Sequence, residues 1–279
     1  MESPQTKDEQ AALWNGVAGR AWVDAQQALD RLFTPFEDLL VNGVTAASAR
    51  TVLDVGCGTG GTTLAVARHL GENCRAVGID ISAPMLQLAR VRAEAEHLPA
   101  QFIHADAEGY AFEPAVFDAV ISRFGVMFFE RPVDAFANLR HAAQPDATLC
   151  LIAWRSPADN PFMTTAERAA APLLPNLPPR KPDAPGQFAF ADRNRVHTIL
   201  QESGWREIEL RPIDVNLTMP KTDLMQYVTR LGPLGLALQD ADEATRARII
   251  ETVLSAFDSY VHADEVRFTA ACWMIGGQA

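Results

Sequence analysis

Residues 52–61 read Val52-Leu53-Asp54-Val55-Gly56-Cys57-Gly58-Thr59-Gly60-Gly61. The apolar run before the glycines predicts a short strand over 51–55. Residues 59–70, with Leu64, Val66, Ala67 and Leu70 as apolar positions, predict the helix after it. Between the two stand four glycines in six positions, more than turning the chain requires. Glycine lets the backbone turn sharply and lets a ligand approach without a Cβ in the way. The helix start behind the loop exposes unpaired amides. Gly56, Gly58 and Gly61 also satisfy GxGxxG, a pattern that by itself does not separate one nucleoside cofactor from another.

Outward from this loop, strand-like and helix-like stretches alternate, as in βαβ units around a parallel sheet. Strands are predicted over 74–79, 101–104, 116–122 and 147–154, the last an apolar run suited to burial on both faces. Helices are predicted over 82–96, with Ser82 as N-cap and Pro84 in the first turn, and from Pro132 to about residue 141. Eight prolines from Pro157 to Pro185 predict a looping excursion or cap. A helix over 192–203 ends at Gly204, and a strand follows over 207–217. Residues 221–262 read as helical, broken near Gly232, Pro233 and Gly235, and 265–275 as a last strand. Two helical stretches precede the sheet within the first fifty residues.

The expected fold is α/β, with seven strands and helical lid and cap elements. The expected divisions are an N-terminal helical lid at 1–45, a cofactor-binding core at 46–155, a proline-rich insertion at 156–191, and the rest of the core at 192–279 carrying a helical cap at about 220–262.

Two carboxylates bear on the cofactor. Asp54 precedes the first glycine by two residues, where it can reach the loop amides or a cationic ligand. A pyrophosphate gains nothing from a carboxylate so near its cradle, whereas a ligand with an ammonium group does. Asp80 ends the second strand, where a carboxylate can take both hydroxyls of a ribose. Asp80 therefore suits any adenosine cofactor, and Asp54 favours one with an amino-acid tail. The simpler readings are a tight glycine turn, a solvated strand end at Asp80 and a loop N-cap at Asp106.

The ordered set Asp54-Val-Gly-Cys-Gly-Thr-Gly60, Gly78-Ile-Asp80, His104-Ala-Asp106-Ala107-Glu108 and Phe117-Asp-Ala-Val-Ile-Ser-Arg-Phe-Gly125 resembles the motifs of class I S-adenosylmethionine-dependent methyltransferases. Over about residues 45–155 it is similar to the branch that includes ubiquinone and menaquinone methyltransferases. The resemblance implies a Rossmann-like, mostly parallel sheet with its last strand antiparallel, and S-adenosyl-L-methionine as cofactor, released as S-adenosyl-L-homocysteine. It implies that Gly56, Cys57, Gly58 and Gly60 line the methionine part and Asp80 holds the ribose. Ile81 and Met85 would flank the adenine, and Asp106, beside Ala107, would bond its amino group. Ser122, Arg123 and Met127 would line the acceptor side, although Arg123 also has Asp118 and Glu130 as possible ion partners. The leader with Trp14, Arg20 and Trp22 resembles one in which an aromatic and an arginine close over the methionine carboxylate; the two tryptophans have packing as their simpler reading.

The acceptor is bounded by exclusion. A net charge of −11 opposes bulk binding to nucleic acid or an anionic membrane. Cys57, Cys74, Cys150 and Cys272 form no CxxC pair, so neither a zinc site nor a dithiol centre is expected. Residues 1–10 lack an apolar signal core, and no apolar run reaches the ~18 residues of a membrane span, so a cytoplasmic location is expected. Ser122-Arg123-Phe124-Gly125 lacks the polar-Pro-Pro-aromatic motif of DNA amino-methyltransferases, and the paired glutamates of protein arginine methyltransferases are also missing. A small apolar or aromatic acceptor remains, with Phe124, Phe128, Phe129, Trp154 and Phe162 as candidate walls. No catalytic residue is assigned; His262, Tyr260 and Tyr227 are the lid groups to follow. A nicotinamide oxidoreductase and a non-catalytic cofactor-binding regulator are the alternatives.

Overall fold

The computed structural model describes residues 7–174, 184–239 and 241–279. Three helices, rather than two, precede the sheet: α1 (Lys7–Asn15), α2 (Val17–Asp24) and α3 (Gln26–Ala46). The core then runs β1 (Thr51–Val55), α4 (Gly61–Leu70), β2 (Arg75–Asp80), α5 (Ala83–Ala95), β3 (Ala100–His104), β4 (Phe117–Arg123), α6 (Pro132–Ala142) and β5 (Ala143–Trp154). After it come α7 (Pro161–Ala170), α8 (Arg193–Glu202), β6 (Arg206–Pro220), α9 (Leu224–Arg230), α10 (Gly232–Ala237), α11 (Glu243–Ala256), β7 (Val261–His262) and β8 (Glu265–Gln278).

Seven strands follow the order β3-β2-β1-β4-β5-β8-β6, and the two-residue β7 pairs with β8 as an eighth. The pairs among β1 to β5 are parallel, while β8 runs antiparallel to both β5 and β6. From β1 the chain steps through α4 and α5 to β2 and β3 on one side. It returns to β4 and β5 on the other. Right-handed crossovers in opposite directions place their helices on opposite faces and open a crevice beyond the carboxyl ends of β1 and β4. Leu53, Ile121 and Leu151 are fully buried in the sheet centre, as are Phe36 and Leu40 of α3. Burying each such side chain contributes ~1.5–3 kcal/mol.

Three expectations need correction. Ser82 stands at the N-cap of α5 as expected, but its side chain makes no cap bond; its hydroxyl donates to the Trp14 carbonyl instead. Part of the proline-rich stretch is helical, because Pro161 occupies the first turn of α7, where the missing N–H costs nothing; residues 175–183 of that stretch lie outside the described residues. The helical cap stops short of residue 262. Val261 pairs with Val266 and His262 with Glu265, and Ala263, at φ 54°, turns the hairpin between them.

α11 and α10 pack on α7, so the helix after β5 joins the C-terminal helices. The N-terminal and C-terminal helices also meet. Arg31 of α3 pairs with Asp223 at 2.9 Å, and Gln226 Nε2 of α9 donates to the Asp24 carbonyl at 3.1 Å. Among the described residues no helix is long and apolar enough to cross a membrane.

Candidate functional site

The crevice beyond β1 and β4 is floored by the glycine loop. Gly56, Gly58 and Gly60 have φ of 68°, 56° and 85°, values that only glycine adopts without strain. Room for a side chain is lacking as well: a Cβ on Gly56 would lie 2.6 Å from Gly125 Cα, and one on Gly58 2.8 Å from Met85 Cε. The space that the missing Cβ atoms leave is thus filled by the protein itself, which draws the loop against the segment after β4 and against α5.

Asp80 organises this floor. Its Oδ2 accepts the Gly58 amide and its Oδ1 the Ser82 amide, both at 2.8 Å, so one carboxylate joins the glycine loop to the β2–α5 turn. Burial raises its affinity for a proton, and these amides oppose that. An ionised carboxylate has about four acceptor sites, so Asp80 retains capacity for hydroxyl donors. Beside it, His104 stands in register with Asp80, and the Ala105 amide donates to the Asp80 carbonyl at 3.0 Å. Half-buried Asp106 and buried Ala107 therefore follow β3 next to the Asp80 turn.

Asp54 does not reach the loop amides. It is 2% exposed and accepts the Thr63 hydroxyl of α4 at 2.6 Å, beneath the helix start. Burial pushes its carboxyl up to about 6. Cys57 is buried against Gly78, and burial holds its thiol well above the usual range. Met85 is buried and Ile81 half-buried along the same turn.

On the β4 side, buried Ser122 spends its hydroxyl on the Val55 carbonyl (2.7 Å) and accepts the Gly125 amide (3.1 Å). Arg123 pairs with neither Asp118 nor Glu130 but with Glu37 of α3 at 2.6 Å, its guanidinium 5.4 Å from the Phe33 ring centroid. Asp118 takes the Arg50 and Thr51 amides instead. Asp30, seven residues before Glu37 and so on the same helix face, pairs with Arg92, whose other arm donates to the Thr59 carbonyl at 2.7 Å. Glu37, Asp30 and Arg123 all crowd Gly61 at the start of α4. Met127 is buried.

A row of rings runs from α1 and α2 past the ends of β4 and β5. Trp14 meets Phe128 edge-on at 5.2 Å and Trp22 at 6.3 Å, and Trp22 stacks on Phe33. Phe33 and Phe36 meet Phe124 edge-on, and Phe124 stacks flat on Trp154 at 4.3 Å. Phe162 links Trp154 to Phe268. Phe124 holds a left-handed φ of 65°, a strained conformation of the kind that clusters at ligand sites. Arg20 is exposed on α2.

Tyr260 and His262 lie at the far end of the row, where Tyr260 meets Phe268 at 5.3 Å. They line a groove of about 820 Å³ on the β6–β8 side, with Arg155 and Asp214 among its charged walls. β8 is three strand spacings from β1, roughly 14 Å. Tyr227 packs on Phe268, and burial pushes its phenol up out of the range of a base.

The sequence reading passed over Glu37, Asp30 and Arg92, and also Glu108, whose buried carboxylate takes the Glu130 and Arg131 amides at 3.0 Å each. The seven-residue spacing of the two acids on α3 was the one available signal.

The sequence model of the methyltransferase domain family matches residues 52–146, the stretch that builds this floor. That match and the relatives that follow support a class I S-adenosylmethionine-dependent methyltransferase. The demethylmenaquinone methyltransferase of Renibacterium salmoninarum is 25% identical over 218 residues, covering 75% of this chain and 89% of that protein. The demethylmenaquinone methyltransferase of Thermus thermophilus is 32% identical over 113 residues, 40% of this chain and 51% of that one. Among solved structures, the YcgJ protein of Bacillus subtilis superposes with a TM-score of 0.56 at 17% identity, covering 87% of this chain and 97% of that one, a likeness of fold alone. The same comparisons support S-adenosylmethionine as the cofactor over the nicotinamide alternative. The residues present fit it: a carboxylate with spare acceptor sites at the end of β2, bonded to a loop whose Gly56, Gly58 and Gly60 hold left-handed φ.

Proposed function

We propose that this methyltransferase acts on a small apolar or aromatic acceptor, held against the ring row that starts at Phe124. The carrying observation is the flat stack of Phe124 on Trp154, joined to Phe33 and Phe36, directly after β4 and beside the glycine loop. A flat aromatic or isoprenoid acceptor gains both buried area and ring contacts there. The two demethylmenaquinone methyltransferases among its relatives favour a quinol-type acceptor.

S-adenosylmethionine, when bound, supplies a methyl group already activated by its sulfonium, so the chain's work is alignment and exclusion of water. Asp80 is assigned to the ribose hydroxyls, and Gly56, Gly58 and Gly60, with Cys57 packed behind them, to the methionine part. Ile81 and Met85 are assigned to the adenine faces, and Asp106 beside Ala107 to its amino group. Asp54 acts through α4, holding the helix start from below. Ser122 and Arg123, already bonded to Val55 and Glu37, shape the acceptor wall with Met127 rather than donate to it. Trp14 and Trp22 roof the wall as packed rings.

The test is methyl transfer from labelled S-adenosylmethionine to a panel of lipophilic phenols and quinols beside polar amines. Turnover of the lipophilic set is expected, and its loss in Phe124→Ser. Turnover restricted to polar amines would overturn the assignment.

A further inference from the structure

Asn15, at the end of α1, has no part in the cofactor motifs, yet it is bonded to one of their turns. Its Nδ2 donates to the Ile81 carbonyl and to the Ala11 carbonyl, each at 2.9 Å, and its Oδ1 accepts the Ala83 amide at 2.8 Å. An amide side chain that offers donor and acceptor to residues i and i+2 copies the pairing of a neighbouring strand. Ser82, between those two residues, is fully buried. Its hydroxyl donates to the Trp14 carbonyl at 2.7 Å, and its amide donates to Asp80. Lid and turn also touch closely at Gly19, where a Cβ would stand 2.8 Å from the Ser82 hydroxyl. Three successive residues after β2 are therefore held on one side by the lid and on the other by the carboxylate assigned to the ribose.

We propose that Asn15 is a positioning residue, a latch that ties the N-terminal lid to the β2–α5 turn and sets how fast the cofactor product leaves. The latch rests on the reading of Asp80 given above. Breaking the two Asn15 bonds to the turn frees α1 and α2 from residues 81 and 83, the residues beside that carboxylate. Release, which must pass through the undocked lid, is then faster. Neither bond involves the glycine loop, so the floor stays intact when the latch is cut.

The experiment measures S-adenosylhomocysteine release by stopped-flow tryptophan fluorescence, with hydrogen exchange at residues 81–83. It compares the full-length wild type with Asn15→Ala, Asn15→Asp and Ser82→Ala. Asn15→Ala, losing two hydrogen bonds to the turn, is expected to release the product about ten-fold faster and to lose protection at the Ala83 amide. Asn15→Asp keeps the acceptor but has no donor for the Ile81 carbonyl, and it too is expected to release faster. Ser82→Ala removes one bond with little change in volume, and about three-fold acceleration is expected. It serves as the independent reading if the Asn15 variants fold poorly. Release within two-fold of wild type in every folded variant, with Ala83 still protected, overturns the latch while leaving the cofactor site standing. A wild type that does not bind S-adenosylhomocysteine overturns the cofactor reading of Asp80, and the latch falls with it.

Discussion

Replacing Asp80 by asparagine changes few atoms and tests the floor of the site directly. In the wild type both carboxylate oxygens accept main-chain amides, Gly58 at 2.8 Å and Ser82 at 2.8 Å. Asparagine offers one oxygen and one NH2 group, so in either flip a donor faces a donor. Hydrogen bonds to a charged group are worth about 1.5–3 kcal/mol each; one is lost here and the other becomes neutral. The ribose loses more, because a single amide oxygen already shared with an amide cannot take two hydroxyls. Together these terms reach about 3–4 kcal/mol against binding, a drop in affinity of two to three orders of magnitude. Folding suffers less, since burial already disfavours the charge that asparagine removes. Calorimetric titration with S-adenosylhomocysteine, paired with thermal unfolding, reads both quantities. The expected result is at least a hundred-fold weaker binding with only a small fall in Tm. An affinity within three-fold of wild type would refute the ribose assignment and the bridging role together.

Two further outcomes follow from buried polar groups. Burial pushes the Asp54 carboxyl from its ordinary value of about 3.8 up to about 6, so the folded chain holds the proton more tightly. Its contribution to stability is greatest below about pH 4 and falls as pH rises to about 6, by roughly 3 kcal/mol. Asp54→Asn, whose oxygen can still accept the Thr63 hydroxyl, should flatten that part of the stability profile in urea titrations from pH 4 to 8. An unchanged slope would show that Asp54 does not carry it. Asn160 is fully buried and pairs through both side-chain atoms with the Ala271 main chain at 2.8 and 2.9 Å, so Asn160→Ala should cost about 2–4 kcal/mol in equilibrium unfolding. A loss below 1 kcal/mol would mean that water replaces the amide.

Local chemistry was the legible part. Glycines 56, 58 and 60 and the strand-ending Asp80 announce themselves within ten residues of their elements, and the structure places them on one floor. The direction of Asp54 was not legible because β1 is buried on both faces, and a run without alternation does not tell which way a side chain points. The Arg123–Glu37 pair joins positions 86 residues apart, and no periodicity along the chain reports such a pairing. The hairpin that carries His262 escaped because its positive-φ corner is an alanine, which gives none of the turn signal that glycine or asparagine would. The proline-rich insertion hid α7 for a related reason: proline breaks helix interiors but suits the first turn, where Pro161 stands.

β8 comes last among the strands in chain order and yet lies inside the sheet, between β5 and β6. During synthesis, residues 143–154 and 206–220 therefore emerge with no partner for the edges that β8 later covers. Until residues 265–278 leave the ribosome, two strand edges remain open to pairing with other chains. Closure requires contacts across more than a hundred residues for β5, which slows the final step. Premature termination before β8 thus leaves an aggregation-prone fragment rather than a smaller enzyme.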